Sequence, residues 1–176
     1  MSCEEIDVDP EKFDQFPSTE IEVESHVHFG MTGSFPLRMA EIFFADDGLH
    51  VAEYAYITPM FGLGAKRHKR EAASMQAIYD IHGLDEVLLR SDSVYWFSYD
   101  AIDRIVLYTG SWLGRPKLGI YPKNEASHAY RLHDDVEFEA LADELRETAS
   151  KHDLTCEVKY ELGFTPIESI RRFYNR

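Results

Sequence analysis

Between residues 84 and 132 the apolar side chains arrive in short bursts: EVLLRS, SVYWFSY, IDRIVLYTG, KLGIYP and HAYRL. Gly, Pro, Asn, Asp or Ser separates each burst from the next. Runs of this length closed by turn formers fit successive antiparallel strands. After His133 the period changes. Phe138, Leu141, Ala142 and Leu145 form one stripe, with Glu137, Glu139, Asp143, Glu144 and Glu147 on the other side, which predicts an amphipathic helix over 136–152. Asp134 or Asp135 is placed to cap it.

Upstream, Ile21, Val23, Val27 and Phe29 alternate with Glu22, Glu24, His26 and His28, predicting a strand over 20–29 with one wet face. Asp46-Asp47-Gly48 lies between two apolar runs and predicts a hairpin joining strands near 38–45 and 49–58, with glycine supplying a positive φ. Ala72, Met75, Ile78 and Tyr79 recur at helical spacing over about 69–82, and Gly83 is placed as a left-handed cap. The tail reads as a short strand and a last helix opened by the capping box Thr165-Pro166-Ile167-Glu168. Residues 1–19, acidic and without a period, read as a flexible arm. Residues 20–176 read as a single α+β domain built on a bent antiparallel sheet, with an inserted helix and a strand-helix extension.

Charge narrows the function classes. The chain carries 32 acids against 18 bases, net −14, which opposes general nucleic-acid binding. No apolar run reaches the roughly 18 residues of a membrane span, and the first nine residues are too acidic for a signal peptide, so a cytoplasmic protein is expected. Cys3 and Cys156 are too few for a disulfide framework or a cysteine zinc site. Lysines number 7 and arginines 11, and this lysine-poor acidity resembles the composition of halophilic proteins.

The stretch from VLLRSDSVYWFSYDAIDRIVLYTG through AYRL to the amphipathic helix resembles a pleckstrin-homology-like domain, over about residues 38–152. Tyr99-Asp100-Ala101-Ile102 matches that family's corner between two strands, and the helix over 136–152 takes the place of the one that plugs its half-barrel. The resemblance implies a scaffold that displays loops to peptides, proteins or lipids. The basic first hairpin of lipid-binding members is missing, since Asp46-Asp47 occupies its tip, so lipid binding is not implied. The chain is also similar to a haloarchaeal family, a likeness that implies no activity.

Two segments stand out as candidate binding sites. In FGLGAKRHKR, over 61–70, Lys66, Arg67, Lys69 and Arg70 crowd the start of a helix, the end whose dipole disfavours cations. The glycine spacing matches neither a phosphate loop nor a dinucleotide fingerprint. Either an anionic ligand or the chain's own carboxylates must offset the cluster, and internal pairing is the simpler account. In GSWLGRPK, Trp112, Leu113, Arg115 and Lys117 lie between two strands, placed to meet a partner or to fold over the barrel mouth. Tyr95, Trp96, Phe97 and Tyr99 read as core and sheet-face residues.

His26 and His28 share a strand face, and His128 and His133 are further candidate ligands, but no HExxH or paired CxxC occurs. The histidines therefore read as solvated, with no metal or cofactor expected. No nucleophile motif or catalytic residue emerges. The leading expectation is a non-enzymatic interaction module for a protein or anionic partner. The alternative is a small-molecule or phosphate-binding enzyme with its pocket beside residues 62–70.

Overall fold

The computed structural model of the chain describes residues 21–33, 37–57, 64–110, 115–133 and 136–160. Among these residues eight strands form one open, antiparallel-rich sheet: β1 (Val23–Thr32), β2 (Leu37–Ala45), β3 (Gly48–Ile57), β4 (Ser93–Phe97), β5 (Ile102–Tyr108), β6 (Lys117–Pro122), β7 (His128–Arg131) and β8 (Thr155–Lys159). Their spatial order is β4-β3-β2-β1-β7-β6-β5-β8. The described residues also hold two α-helices, α1 (Gly64–Arg90) and α2 (Phe138–Lys151), in an α+β arrangement. Among the described residues no helix is long and apolar enough to cross a membrane.

The period-2 pattern divides the strands between two cores. Ala40, Ile42, Phe44, Leu49 and Val51 face one side, where they join Ile105, Leu107, Leu118, Ile120 and Tyr130 and receive Leu141, Ala142, Leu145 and Ala149 of α2. Met39, Phe43, Ala52 and Tyr54 face the other side, where Ala72, Met75, Leu84 and Val87 of α1 cover them. Side chains from both ends of the strand order share the first core, so the sheet curls without closing. Tyr99–Ala101 is a 3-10 turn that feeds β5, and the Tyr99 hydroxyl donates to the Ala45 carbonyl at 2.7 Å.

The structure corrects several expectations. Residues 86–91, expected as a strand, continue α1 to Arg90. The helix bends at Gly83 (φ 78), and Leu84, Val87 and Leu88 then pack at helical spacing on the same core. Gly83 thus has the positive φ expected of it, but with an extended ψ of −169 rather than the left-handed helical one, and as a joint between two helical segments instead of a cap. A short apolar run has no period long enough to separate helix from strand, and burial decided it. The C-terminal strand β8 pairs parallel to β5, because α2 carries the chain back across the sheet. The residue preceding α2 is Glu137, whose side chain makes no capping bond, whereas Asp134 and Asp135 lie outside the described residues, as do residues 1–20 and 161–176.

Two features of β1 position the site below. Val27 pairs with Ile42 and Gly30 with Ala40, so His28 and Phe29 together oppose the single residue Glu41. This is a β-bulge, with Phe29 at φ 57. β1 and β7 share one pair, Met31 with Arg131, so among the described residues most of β1 has no strand on that side. Along this gap the two helices, otherwise on opposite faces, both approach β1.

Candidate functional site

Glu41 stands in the middle of β2, flanked on its own face by Met39 and Phe43, and its side chain is 1% exposed. An isolated carboxylate at such depth carries a large desolvation cost. Here four donors surround it. His26 Nε2 and His28 Nδ1 each lie 2.9 Å from Oε2, the bulged Phe29 N–H donates to Oε2 at 3.3 Å, and the Tyr54 hydroxyl donates to Oε1 at 2.6 Å. The bulge makes this possible by aiming the Phe29 amide at the same oxygen as the two imidazoles.

Burial by itself raises the Glu41 pKa, but the hydrogen bonds from His26, His28 and Tyr54 and the charge of His28 outweigh it and hold the carboxyl below its usual range. Glu41 is therefore an ionised acceptor, and both imidazole nitrogens facing it carry their protons. The Tyr54 hydroxyl stays protonated, its pKa raised by burial and by the Glu41 charge.

The sign of the pH dependence follows. A carboxyl lowered in the folded state contributes stability that is complete above the unfolded value of about 4.3 and is lost as pH falls through the folded value. Urea unfolding between pH 6 and pH 3 is expected to show a steeper acid loss for the native chain than for Glu41→Gln. Equal slopes would remove this account of the carboxylate.

The imidazoles are held from behind. His26, 13% exposed, stacks on Phe43 with ring centroids 4.2 Å apart and leans on Tyr79 of α1 at 4.8 Å. His28 is 36% exposed. The wet strand face expected at these positions is thus covered at His26 and half open at His28, because α1 folds over it.

Both rings form one wall of a cleft of about 490 Å3 between β1, the start of α1 and the start of α2. Lys69, Ala72 and Ala73 line it from α1, and Glu137, Ala140, Leu141 and Glu144 from α2 and its approach. His133 closes one side and stacks on Phe29, their centroids 4.5 Å apart. Imidazoles, an ammonium and carboxylates thus face an apolar floor, the mixture that orients a small polar ligand.

The residues singled out from sequence scatter. Lys69 lines the cleft, while Arg67 pairs with Glu71 one turn on at 3.4 Å, as internal neutralisation requires. Arg70 is exposed on α1, and the Lys66 side chain lies outside the described residues. Trp112 and Leu113 also lie outside them. Arg115 approaches the Met31 sulfur at 4.0 Å, and half-buried Lys117 has its pKa lowered by burial and by Arg131. His128 packs against Tyr95 and Phe97, away from the other histidines. Trp96, expected in the core or on a sheet face, is 54% exposed on edge strand β4. Burial pushes the Cys156 thiol upward, which suits no nucleophile.

Sequence reasoning missed Glu41. Its signal was a lone carboxylate inside the apolar run RMAEIFFA, a place where a strand tolerates charge only with partners. Glu53, in HVAEYAY, carries the same signal. It is buried against Arg38 at 3.2 Å and the Tyr130 hydroxyl at 3.4 Å, as a structural pair.

No family model and no curated protein matches the chain. Among solved structures it is similar to the hSac2 domain from the human phosphoinositide phosphatase Sac2, with 9% identity, a TM-score of 0.49, and 84% of this chain and 83% of that one covered.

Proposed function

We propose that the chain is a small-ligand-binding domain whose site is the cleft between β1, α1 and α2, on a pleckstrin-homology-like scaffold. The curled antiparallel-rich sheet with α2 on its inner core supports that scaffold. The observation that carries the reading is the convergence of His26 and His28 on buried Glu41 at the wall of a cleft with room for a metabolite-sized molecule. It favours the small-molecule alternative over a loop-displaying module, and the cleft adjoins the basic start of α1 through Lys69.

The ligand is a small polar molecule with an apolar flank. Its polar end meets the imidazoles and Lys69, and its flank lies on Ala72, Ala73 and Leu141. Ala140 is exposed on α2 and lines the cleft, so Ala140→Trp fills the space without disturbing the core. Amide NMR spectra recorded against a panel of phosphorylated, carboxylated and amino metabolites are expected to give hits whose shifts map to β1, the start of α1 and α2. Ala140→Trp should abolish them. Hits that survive this variant, or that map to the 109–117 connection, contradict the reading.

A further inference from the structure

We propose that His26, His28 and Glu41 form a binding site for one divalent first-row transition-metal ion, with its remaining coordination positions turned toward the cleft. The placement of those positions rests on the cleft reading, whereas the three ligands do not.

Donor convergence is the first argument. One ligand atom from each of His26, His28 and Glu41 lies within 4.8 Å of the others, and His26 Nε2 and His28 Nδ1 are each 2.9 Å from Glu41 Oε2. Ligands bound at about 2.0–2.2 Å from one ion stand roughly 3 Å apart, so an ion fits between these atoms with small side-chain adjustments. Two ring protons point at the carboxylate in the metal-free protein. With each ring's proton on its other nitrogen, the two nitrogens facing Glu41 present lone pairs toward one place, which is what an ion bound beside the carboxylate requires.

The second argument is the supporting frame. A bound ion needs ligands whose orientation is fixed from behind. Tyr54 holds the other carboxylate oxygen at 2.6 Å, Phe43 stacks on the His26 ring, and the bulged Phe29 N–H holds Oε2 at 3.3 Å. In a strand, alternation alone places residues 26 and 28 on one face; the bulged neighbour opposite Glu41 brings them onto a single oxygen.

The donor set selects the class of ion. Two imidazoles and one carboxylate suit the Fe2+ to Zn2+ series, whereas Ca2+ and Mg2+ favour all-oxygen shells. Three protein ligands leave at least one position of a four-coordinate ion for water or ligand. His28, the most exposed of the three, marks the direction of access.

Co2+ serves as the probe, added to the full chain after chelator treatment, with visible absorption and calorimetry as readouts and Zn2+ as competitor. The expected result is saturation at one equivalent with a visible d–d band that Zn2+ displaces. His26→Gln and His28→Gln should each weaken binding by roughly 100-fold or more. Tyr54→Phe keeps all three ligands but removes the hydroxyl that holds the Glu41 carboxylate in place, and should weaken it by about tenfold. Circular dichroism establishes that each variant is folded, and the exposed position of His28 makes its variant the safer one. A folded native chain that shows no saturable Co2+ binding overturns the proposal. So does binding that is unchanged in both histidine variants, since the ion then sits elsewhere. Ala140→Trp separates this inference from the cleft reading. It should keep Co2+ affinity within about threefold, because it removes none of the three ligands. Metal binding that persists while small-molecule hits fail defeats the cleft reading alone, and the reverse pattern defeats the metal site alone.

Discussion

Glu41→Ala is expected to destabilise the metal-free protein by about 3–5 kcal/mol, the range seen when one partner of a buried charged network is removed. The substitution leaves the Phe29 amide, the Tyr54 hydroxyl and two imidazole N–H groups without their acceptor in a region where Glu41 itself is 1% exposed. It also opens a hole beside Met39 and Phe43, on the core that α1 covers. For a domain of this length the corresponding fall in melting temperature is roughly 6–20 °C. Urea unfolding at neutral pH with chelator present measures it. A loss below about 1 kcal/mol would mean that the histidines and Tyr54 find water instead, and that the carboxylate is not the organiser of the site.

The second large effect is expected from Gly48→Ala, at about 2–5 kcal/mol, from backbone strain together with a steric clash. Gly48 opens β3 at φ 144, a conformation that side-chain-bearing residues rarely adopt. A Cβ there stands 2.6 Å from the Phe97 carbonyl oxygen and 2.9 Å from the Trp96 ring nitrogen. The carbonyl belongs to the backbone of β4, so relief requires that strand to move away from its pairing between Leu49 and Phe97. Hydrogen exchange is expected to show lost protection across β4 while β5 and β6 keep theirs. A variant that unfolds within about 1 kcal/mol of the native chain contradicts this reading.

Gly48 also shows how far the sequence reaches. An Asp-Gly pair between two apolar runs marks a hairpin because the requirement for a positive φ is local, and β2 and β3 begin and end within a residue or so of the expected positions. The contact that makes the glycine indispensable comes from residues 96 and 97, some fifty positions later, and no local pattern encodes it. The bend at Gly83 follows the same division. The need for glycine at a positive φ was legible, yet the helical state of residues 84–90 depended on the core formed by Met39, Phe43 and Ala52.

The site divides in the same manner. His26 and His28 were read as a pair on one strand face, whereas Glu41, a charge inside an apolar run, was passed over. Their meeting needed the pairing of β1 with β2, and a bulge that sets two residues of one strand against one of the other. Alternation of polarity along a strand identifies faces without identifying what covers them, so the face bearing the histidines read as solvated until α1 lay across it. The four cations over 66–70 show the converse. Their charge was plain in the sequence, while the structure placed Lys69 on the cleft and turned Arg67 toward Glu71.

Taken alone, the amino-acid order determined the α+β class, most of the strands and the stripe of α2, because these depend on side-chain period and turn chemistry within a few residues. Tertiary structure decided the parallel placement of β8 and the gathering of two imidazoles and a backbone amide around one carboxylate oxygen. Those features arise from contacts between distant segments, whose free energy depends on burial and register rather than on neighbours along the chain.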